Sequence, residues 1–327
     1  MFDLVAGFTY SQTIAACVEV GLLELLARGP ASVEEIATQI DVPLEGTERL
    51  LRAGAALNLT ERLDATRWVL GADGAALRGN GGIVEMVAHH RMLYADLADP
   101  VALLRRGGGG GQLAQYWTYA ERSGEGESDE VAAYSRLMAA SQPLVAQHIL
   151  DSYSFAQHRR MLDVGGGEAR FVRAVAERVP RLGLSMFDLP AVGARAKAAL
   201  VADGLGERVE IFGGSFFDDP LPTGHDLITL VRVLHDHDDA PALALLRAIH
   251  AALPPGGTLL IAEPMAETRG AERSGDAYFG LYLWAMGSGR PRSAKAIRAM
   301  LRAAGFASSR IVSTALPLTV RIITATR

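Results

Sequence analysis

From Met161 onward the chain repeats one unit: a short apolar run, a turn and an amphipathic helix. The runs MLDVGG, GLSMFDL, RVEIFGG, DLITLVRVL and TLLIAEP are largely apolar instead of strictly alternating, so they read as strands covered on both faces. A mostly parallel sheet with helices on both sides buries such runs. Two further runs, RIVSTAL and TVRIITAT, are separated by a few residues around Pro317, and a connection that short allows only an antiparallel pair. Residues 156–327 are therefore expected to form an α/β domain on a seven-stranded, mostly parallel sheet that ends in an antiparallel hairpin.

The residues before it have another rhythm. Ser32-Val33-Glu34-Glu35 is a capping box that opens a helix to about Ile40, because hydroxyl and carboxylate each satisfy a free backbone N–H. After a turn at Asp41 to Pro43, a second helix is expected to about Asn58, with Leu44, Leu50, Leu51 and Ala55 on its buried side. LTERLDATRWVL then alternates as a small β-wing. Helix, turn, helix and wing make residues 1–95 a winged-helix-like dimerisation domain, and DNA reading is the competing use of that pattern. The second helix sets Arg49 and Arg52 against Glu45 and Glu48, and the whole chain has a formal charge of −5, so no basic field favours nucleic acid.

Residues 96–155 read as a helical linker that also supplies pocket residues. The glycine run Gly107 to Gly111 and the stretch ERSGEGESDE are expected to be flexible connections. Val131, Tyr134, Met138, Ser141, Val145 and Ile149 form one helical stripe, from which Met138 is a candidate pocket residue. The N-terminal stretch MFDLVAGFTYSQTIAACVEV lacks the basic start of a signal peptide and reads as a core helix, which with the single cysteine, Cys17, suits a reducing cytoplasm. No apolar run reaches membrane-spanning length, so membrane contact is expected only at the surface.

LDVGGGEARF lies after the first strand of the sheet and at the start of a helix, where glycines let a ligand approach the backbone and free N–H groups face it. A dinucleotide fingerprint needs Gly or Ala where Arg170 stands, which demotes hydride transfer. Asp163 would repel a pyrophosphate and suits a ligand with an amino group or positive charge. Asp188, at the end of the second strand, stands where a carboxylate accepts ribose hydroxyls.

RVLHDHDD follows the fourth strand, and His235-x-His237-x-Asp239 resembles half of a metallohydrolase box. Ala240 occupies the next ligand position and no histidine follows His250, so no metal is expected. His235 emerges at a strand's carboxyl edge as a candidate acid–base residue, His237 reads as a solvated loop residue, and Asp238 or Asp239 caps the next helix.

Together, LDVGGG, FDLP, GGSFFDDPLP, RVLHDHDD, LLIAEP and LRAAGF resemble the class I S-adenosylmethionine-dependent methyltransferases, within them the small-molecule O-methyltransferases with a winged-helix dimerisation domain. FDLVAGFTYSQ, MLYADLADPVALLR and YSRLMAASQPLVA carry a narrower likeness to the carotenoid-hydroxyl O-methyltransferases of purple phototrophic bacteria. The resemblance implies a Rossmann-like fold, a homodimer, S-adenosyl-L-methionine as cofactor and a small apolar hydroxylated substrate of the demethylspheroidene or hydroxyneurosporene type. A phenol, polyketide or tetrapyrrole acceptor is the alternative.

By position, the resemblance implies that Asp163, Gly165, Gly166 and Gly167 take the methionine part of the cofactor and Asp188 the ribose, with Leu189 beside it. Ser215 and Phe216 would take the adenine, and Arg232 would also contact the cofactor. His235 would be the general base, with a pKa near neutrality, and Glu263 the carboxylate that orients its ring. Ser215 stands where many relatives have aspartate, Val231 where lysine is common, and Pro291 where a second orienting glutamate occurs elsewhere. Tyr278, Tyr282, Trp284 and Met286 are candidates for the apolar acceptor pocket.

Overall fold

The computed structural model describes residues 1–116, 142–315, 317 and 320–327. They form two units, Met1–Arg91 and Met92–Arg327.

In the first unit Ser32 Oγ accepts from Glu35 N–H at 3.2 Å while Glu35 Oε2 accepts from Ser32 N–H at 2.8 Å, so the capping box opens the helix Val33–Ile40. The second helix, Leu44–Ala56, buries Thr47, Leu51 and Gly54, and Leu44 is left exposed because that stripe begins one turn later. Arg49 pairs with Glu45 and Arg52 with Glu48 along the exposed face. Strands β1 (Ala31–Ser32), β2 (Thr60–Arg62) and β3 (Arg67–Leu70) make the wing in the order β1-β3-β2. Cys17, Leu22, Ile36, Leu51 and Trp68 form the core. The first helix, Phe2–Glu19, departs from the expected core helix: Phe2, Leu4, Val5 and Phe8 are exposed, and Cys17 is the one residue of it that is fully buried.

The second unit is built on seven strands: β4 (Arg160–Val164), β5 (Gly183–Asp188), β6 (Val209–Gly213), β7 (Leu227–Val231), β8 (Thr258–Glu263), β9 (Ser308–Val312) and β10 (Arg321–Thr326). Their order is β6-β5-β4-β7-β8-β10-β9. Strands β4 to β8 pair in parallel, whereas β10 runs antiparallel to both neighbours, with Ile323 between Ile261 and Ile311. Side chains alternate between two apolar layers. Leu162, Ile228 and Leu230 join one, and Met161, Met186, Leu227 and Leu260 the other.

The glycine run is a built corner and not a flexible connection. Gly107, Gly108, Gly109 and Gly110 all have positive φ, Gly109 N–H donates to Trp284 O at 2.9 Å, and a Cβ on Gly108 would lie 2.5 Å from that oxygen. Backbone thus meets backbone at a distance only glycine permits. The buried Asp96 accepts from Gln112 and Leu113 N–H just beyond it. Of the expected stripe, Val145 and Ile149 are core, while Val131, Tyr134, Met138 and Ser141 lie outside the described residues. Among the described residues no helix is long and apolar enough to cross a membrane.

Candidate active site

Strands β4 and β7 are neighbours in the sheet but not in the chain, so the connections that follow them leave in opposite directions and open a crevice at their carboxyl ends. A cavity of about 430 Å³ fills it. Its floor is the glycine turn after β4. Gly165 and Gly167 have φ of +72° and +58°, which favours glycine, and a Cβ on Gly166 would lie 2.6 Å from Met186 Cγ.

Two acids face this floor. Asp163 is buried, accepts from Thr229 Oγ1–H at 2.5 Å, and is pushed up to about 7 by burial and by Asp188, against the pull of that hydrogen bond. Asp188 accepts from Gly167 N–H at 2.8 Å and from Leu189 N–H at 2.7 Å, so it holds the glycine turn. Burial still raises its pKa, although both N–H groups oppose the shift. Each oxygen keeps acceptor capacity for a ligand.

Beside Asp188, the wall is aromatic. Phe216 stands edge-on to Phe217 at 4.6 Å and to His237 at 5.5 Å, all three line the cavity, and His237 is therefore a wall residue and not a solvated one. Burial and Arg292 bring its pKa down to about 4. Ser215 lines the cavity too, but its hydroxyl donates to Asp218 Oδ2 at 2.8 Å. Arg232, in a left-handed conformation at φ +58°, follows β7 into the cavity.

His235 sits on a short 3₁₀ turn after β7 and is 3% exposed. Burial first, then Arg232, His237 and Arg292, bring its pKa down to about 3, so the expectation of near-neutrality does not hold and the ring is neutral at physiological pH. Its Nε2 lies 3.3 Å from Asp236 Oδ1, and Nδ1 has no partner among the described residues. The expected carboxylate–imidazole contact is replaced by another. Glu263 Oε2 accepts from the backbone N–H of His235 at 3.1 Å, because Glu263 ends β8 below the turn, outside the cavity lining. Burial pushes Glu263 up to about 8 although Arg292 pulls the other way, so this acid is largely protonated at neutral pH.

The remaining wall is apolar. A π-helical segment, Arg273–Tyr278, runs into the helix Phe279–Met286, which presents Phe279, Tyr282, Leu283 and Met286 to the cavity. Tyr278 packs behind against Phe279 and Tyr282, and Trp284 is 40% exposed and absent from the lining. Sequence reasoning missed Gln142, Arg170 and Arg195, whose Oε1 and two Nε atoms line or border the cavity buried and without partners among the described residues. For Arg170 and Arg195 the sequence signal was proximity to the glycine turn and FDLP, and for Gln142 it was membership of YSRLMAASQPLVA. No group of three His, Cys, Asp or Glu side chains able to hold a metal occurs among the described residues.

Comparison with known proteins gives this cavity a context. Residues 94–307 match an O-methyltransferase domain and residues 2–72 an O-methyltransferase dimerisation domain. The exposed apolar start of the first helix lies within that module, whose match supports a homodimer. The chain is 42% identical over 328 residues to a demethylspheroidene O-methyltransferase of Cereibacter sphaeroides, covering 100% of this chain and 86% of that one. It is 31% identical over 270 residues to a 3-hydroxy-5-methyl-1-naphthoate 3-O-methyltransferase of Streptomyces sahachiroi, covering 81% and 76%. The solved apo structure of the S-adenosylmethionine-dependent methyltransferase SibL superposes with a TM-score of 0.78 at 25% identity, covering 100% and 98%. A domain match that spans most of the chain, together with a relative this similar from end to end, means that the protein belongs to the O-methyltransferases with an N-terminal dimerisation domain.

Proposed function

We propose that the protein transfers a methyl group from S-adenosyl-L-methionine to a hydroxyl of a hydroxylated carotenoid of the demethylspheroidene type. The observation that carries the reading is that one cavity is lined both by acids and glycines and by apolar aromatic residues, with the His235 ring against Phe279. The similarity along the whole chain to the demethylspheroidene enzyme supports the acceptor class.

The residues fit the cofactor. Asp163 and Asp188, both raised, favour a ligand that brings positive charge, and the buried orphan atoms of Gln142, Arg170 and Arg195 call for polar ligand groups. Asp163 and Gly165 to Gly167 would hold the methionine part, Asp188 the ribose, and Leu189, Ser215, Phe216 and Arg232 the rest of the nucleoside side. Because Ser215 Oγ is committed to Asp218, the adenine contact there is chiefly with the Phe216 face. When bound, the cofactor supplies a methyl group already activated on a sulfonium.

What the protein must add is alignment, exclusion of water and removal of one proton. Phe279, Tyr282 and Met286 seat an apolar acceptor and keep the site dry. His235, neutral at working pH, takes the hydroxyl proton as the new C–O bond forms.

Transfer of labelled methyl to a panel of hydroxycarotenoids, phenols and hydroxynaphthoates tests the substrate class. The carotenoid, offered in phospholipid vesicles, is expected to be methylated fastest and to carry the protein into the vesicle pellet. Preference for a phenol would move the function to the other branch of the family.

Glu263→Gln is a separate test. An amide oxygen can still accept the His235 N–H, so turnover at neutral pH should stay within roughly threefold of the native rate, the scale of exchanging one neutral hydrogen bond for another. Glu263→Leu orphans that N–H and should lose more. If Gln cripples turnover as severely as loss of His235 does, Glu263 acts in its ionised form on the ring.

A further inference from the structure

The turn that bears His235 is held from outside by a segment that the sequence marked only through Pro291. Arg292 Nη1–H donates to Leu234 O at 3.0 Å, Arg290 N–H to His235 O at 2.9 Å, Ser288 Oγ–H to Asp236 O at 3.0 Å, and Arg292 Nη2–H to His237 O at 2.7 Å. Four consecutive carbonyls of the turn therefore each accept from residues 288–292. Two further contacts fix the helix that follows. Gly289 N–H donates to Asp238 Oδ1 at 3.2 Å, which takes that carboxylate away from capping, and Arg292 Nε–H donates to Asp239 Oδ1 at 2.9 Å.

The fit is close. At Gly289, φ is +77° and a Cβ would lie 2.1 Å from His235 O, so only glycine lets the two backbones meet. Arg292 is 4% exposed, and a buried guanidinium is tolerable only because its donors are matched by carbonyls and a carboxylate. Its own carbonyl accepts from Ala266 N–H at 3.1 Å, just past the end of β8. The segment follows Gly287, which ends the helix carrying Tyr282, Leu283 and Met286.

We propose that Ser288–Arg292 is a template that sets the position of the His235 ring, with Arg292 as its positioning residue, and that it ties this ring to the helix lining the acceptor end of the cavity. A turn pinned at every carbonyl, and by Glu263 at the His235 N–H, has one geometry. Without Arg292 both flanks of His235 lose their tether, and a misplacement on the order of 1 Å is enough to cost about 10²-fold in rate.

The test uses the full-length chain with Arg292→Met, which keeps a long apolar stem. At saturating S-adenosylmethionine, kcat is expected to fall by about 10–100-fold, while affinity for S-adenosylhomocysteine stays within about twofold. In ¹⁵N-histidine spectra, the His235 resonance, identified by its loss in His235→Ala, should change from one sharp neutral tautomer to a broadened or doubled signal. This reading rests on the methyl-transfer function only in its kinetic arm, because the resonance reports on the ring whether or not any acceptor is methylated. If Arg292→Met does not fold, Ser288→Ala removes a single exposed hydroxyl tether and should broaden the same resonance at an unchanged Tm. An unperturbed His235 signal in the folded variant, or cofactor affinity falling in step with kcat, overturns the proposal.

Discussion

His235→Ala is expected to lower kcat by about 10²–10⁴-fold, the usual contribution of a positioned general base, and to leave affinity for S-adenosylhomocysteine within about threefold. The selectivity follows from where the residue stands. His235 lies after β7 on a turn facing the acceptor wall, whereas the acids and glycines proposed for the cofactor belong to β4 and β5. The ring is also buried among positive groups, which lowers its pKa to about 3. A base works in its neutral form, which a lowered pKa keeps populated far into acid. The kcat/KM profile should therefore lack an acid limb from this residue between pH 5 and 8. Full turnover in His235→Ala, measured with saturating cofactor, would remove the base assignment, and an acid limb near pH 6.5 that vanishes with the imidazole would contradict the neutral, buried ring.

The parts of this site that were legible in the sequence are those with a local cause. Strand ends are marked by where apolar runs stop, so the glycine turn, Asp188 and His235 could be placed at one sheet edge before any coordinates. Contacts whose partner is a backbone group left no such mark. Arg292 reaches carbonyls 55 and 58 residues away, and any residue type supplies a carbonyl. Glu263 was assigned to an imidazole by its position in the family resemblance, yet the donor it meets is the amide that every non-proline residue carries.

Two other misreadings have equally specific causes. Gly107 to Gly111 looks like a linker because composition does not separate glycine chosen for freedom from glycine chosen for positive φ and close approach to Trp284 and Gly287. Trp284 was offered for the pocket beside Met286. Trp284 stands two positions from both Tyr282 and Met286, about 200° round a 3.6-residue helix from each, so the helix Phe279–Met286 that turns those two inward turns Trp284 out.

Asp188→Ala should weaken S-adenosylhomocysteine binding by about 10²–10⁴-fold, on the basis of two charge-assisted hydrogen bonds at roughly 1.5–3 kcal/mol each. In the free protein the carboxylate already accepts from Gly167 and Leu189 N–H, so its removal both takes acceptors from the ribose and frees the glycine turn that shapes the floor. Asp188→Asn separates these roles. Its single carbonyl oxygen can hold one backbone N–H but cannot restore the two-oxygen pattern, so its affinity should fall between the native protein and the alanine variant. Titration calorimetry reads the affinities directly, and turnover of both variants should recover in large part at high S-adenosylmethionine, since neither touches His235. Affinity within threefold of native in Asp188→Ala would mean that the carboxylate serves only the turn and that the ribose is held elsewhere. A loss of kcat that persists at saturating cofactor would mean instead that the floor of the cavity and the His235 turn are coupled across the β4–β7 edge.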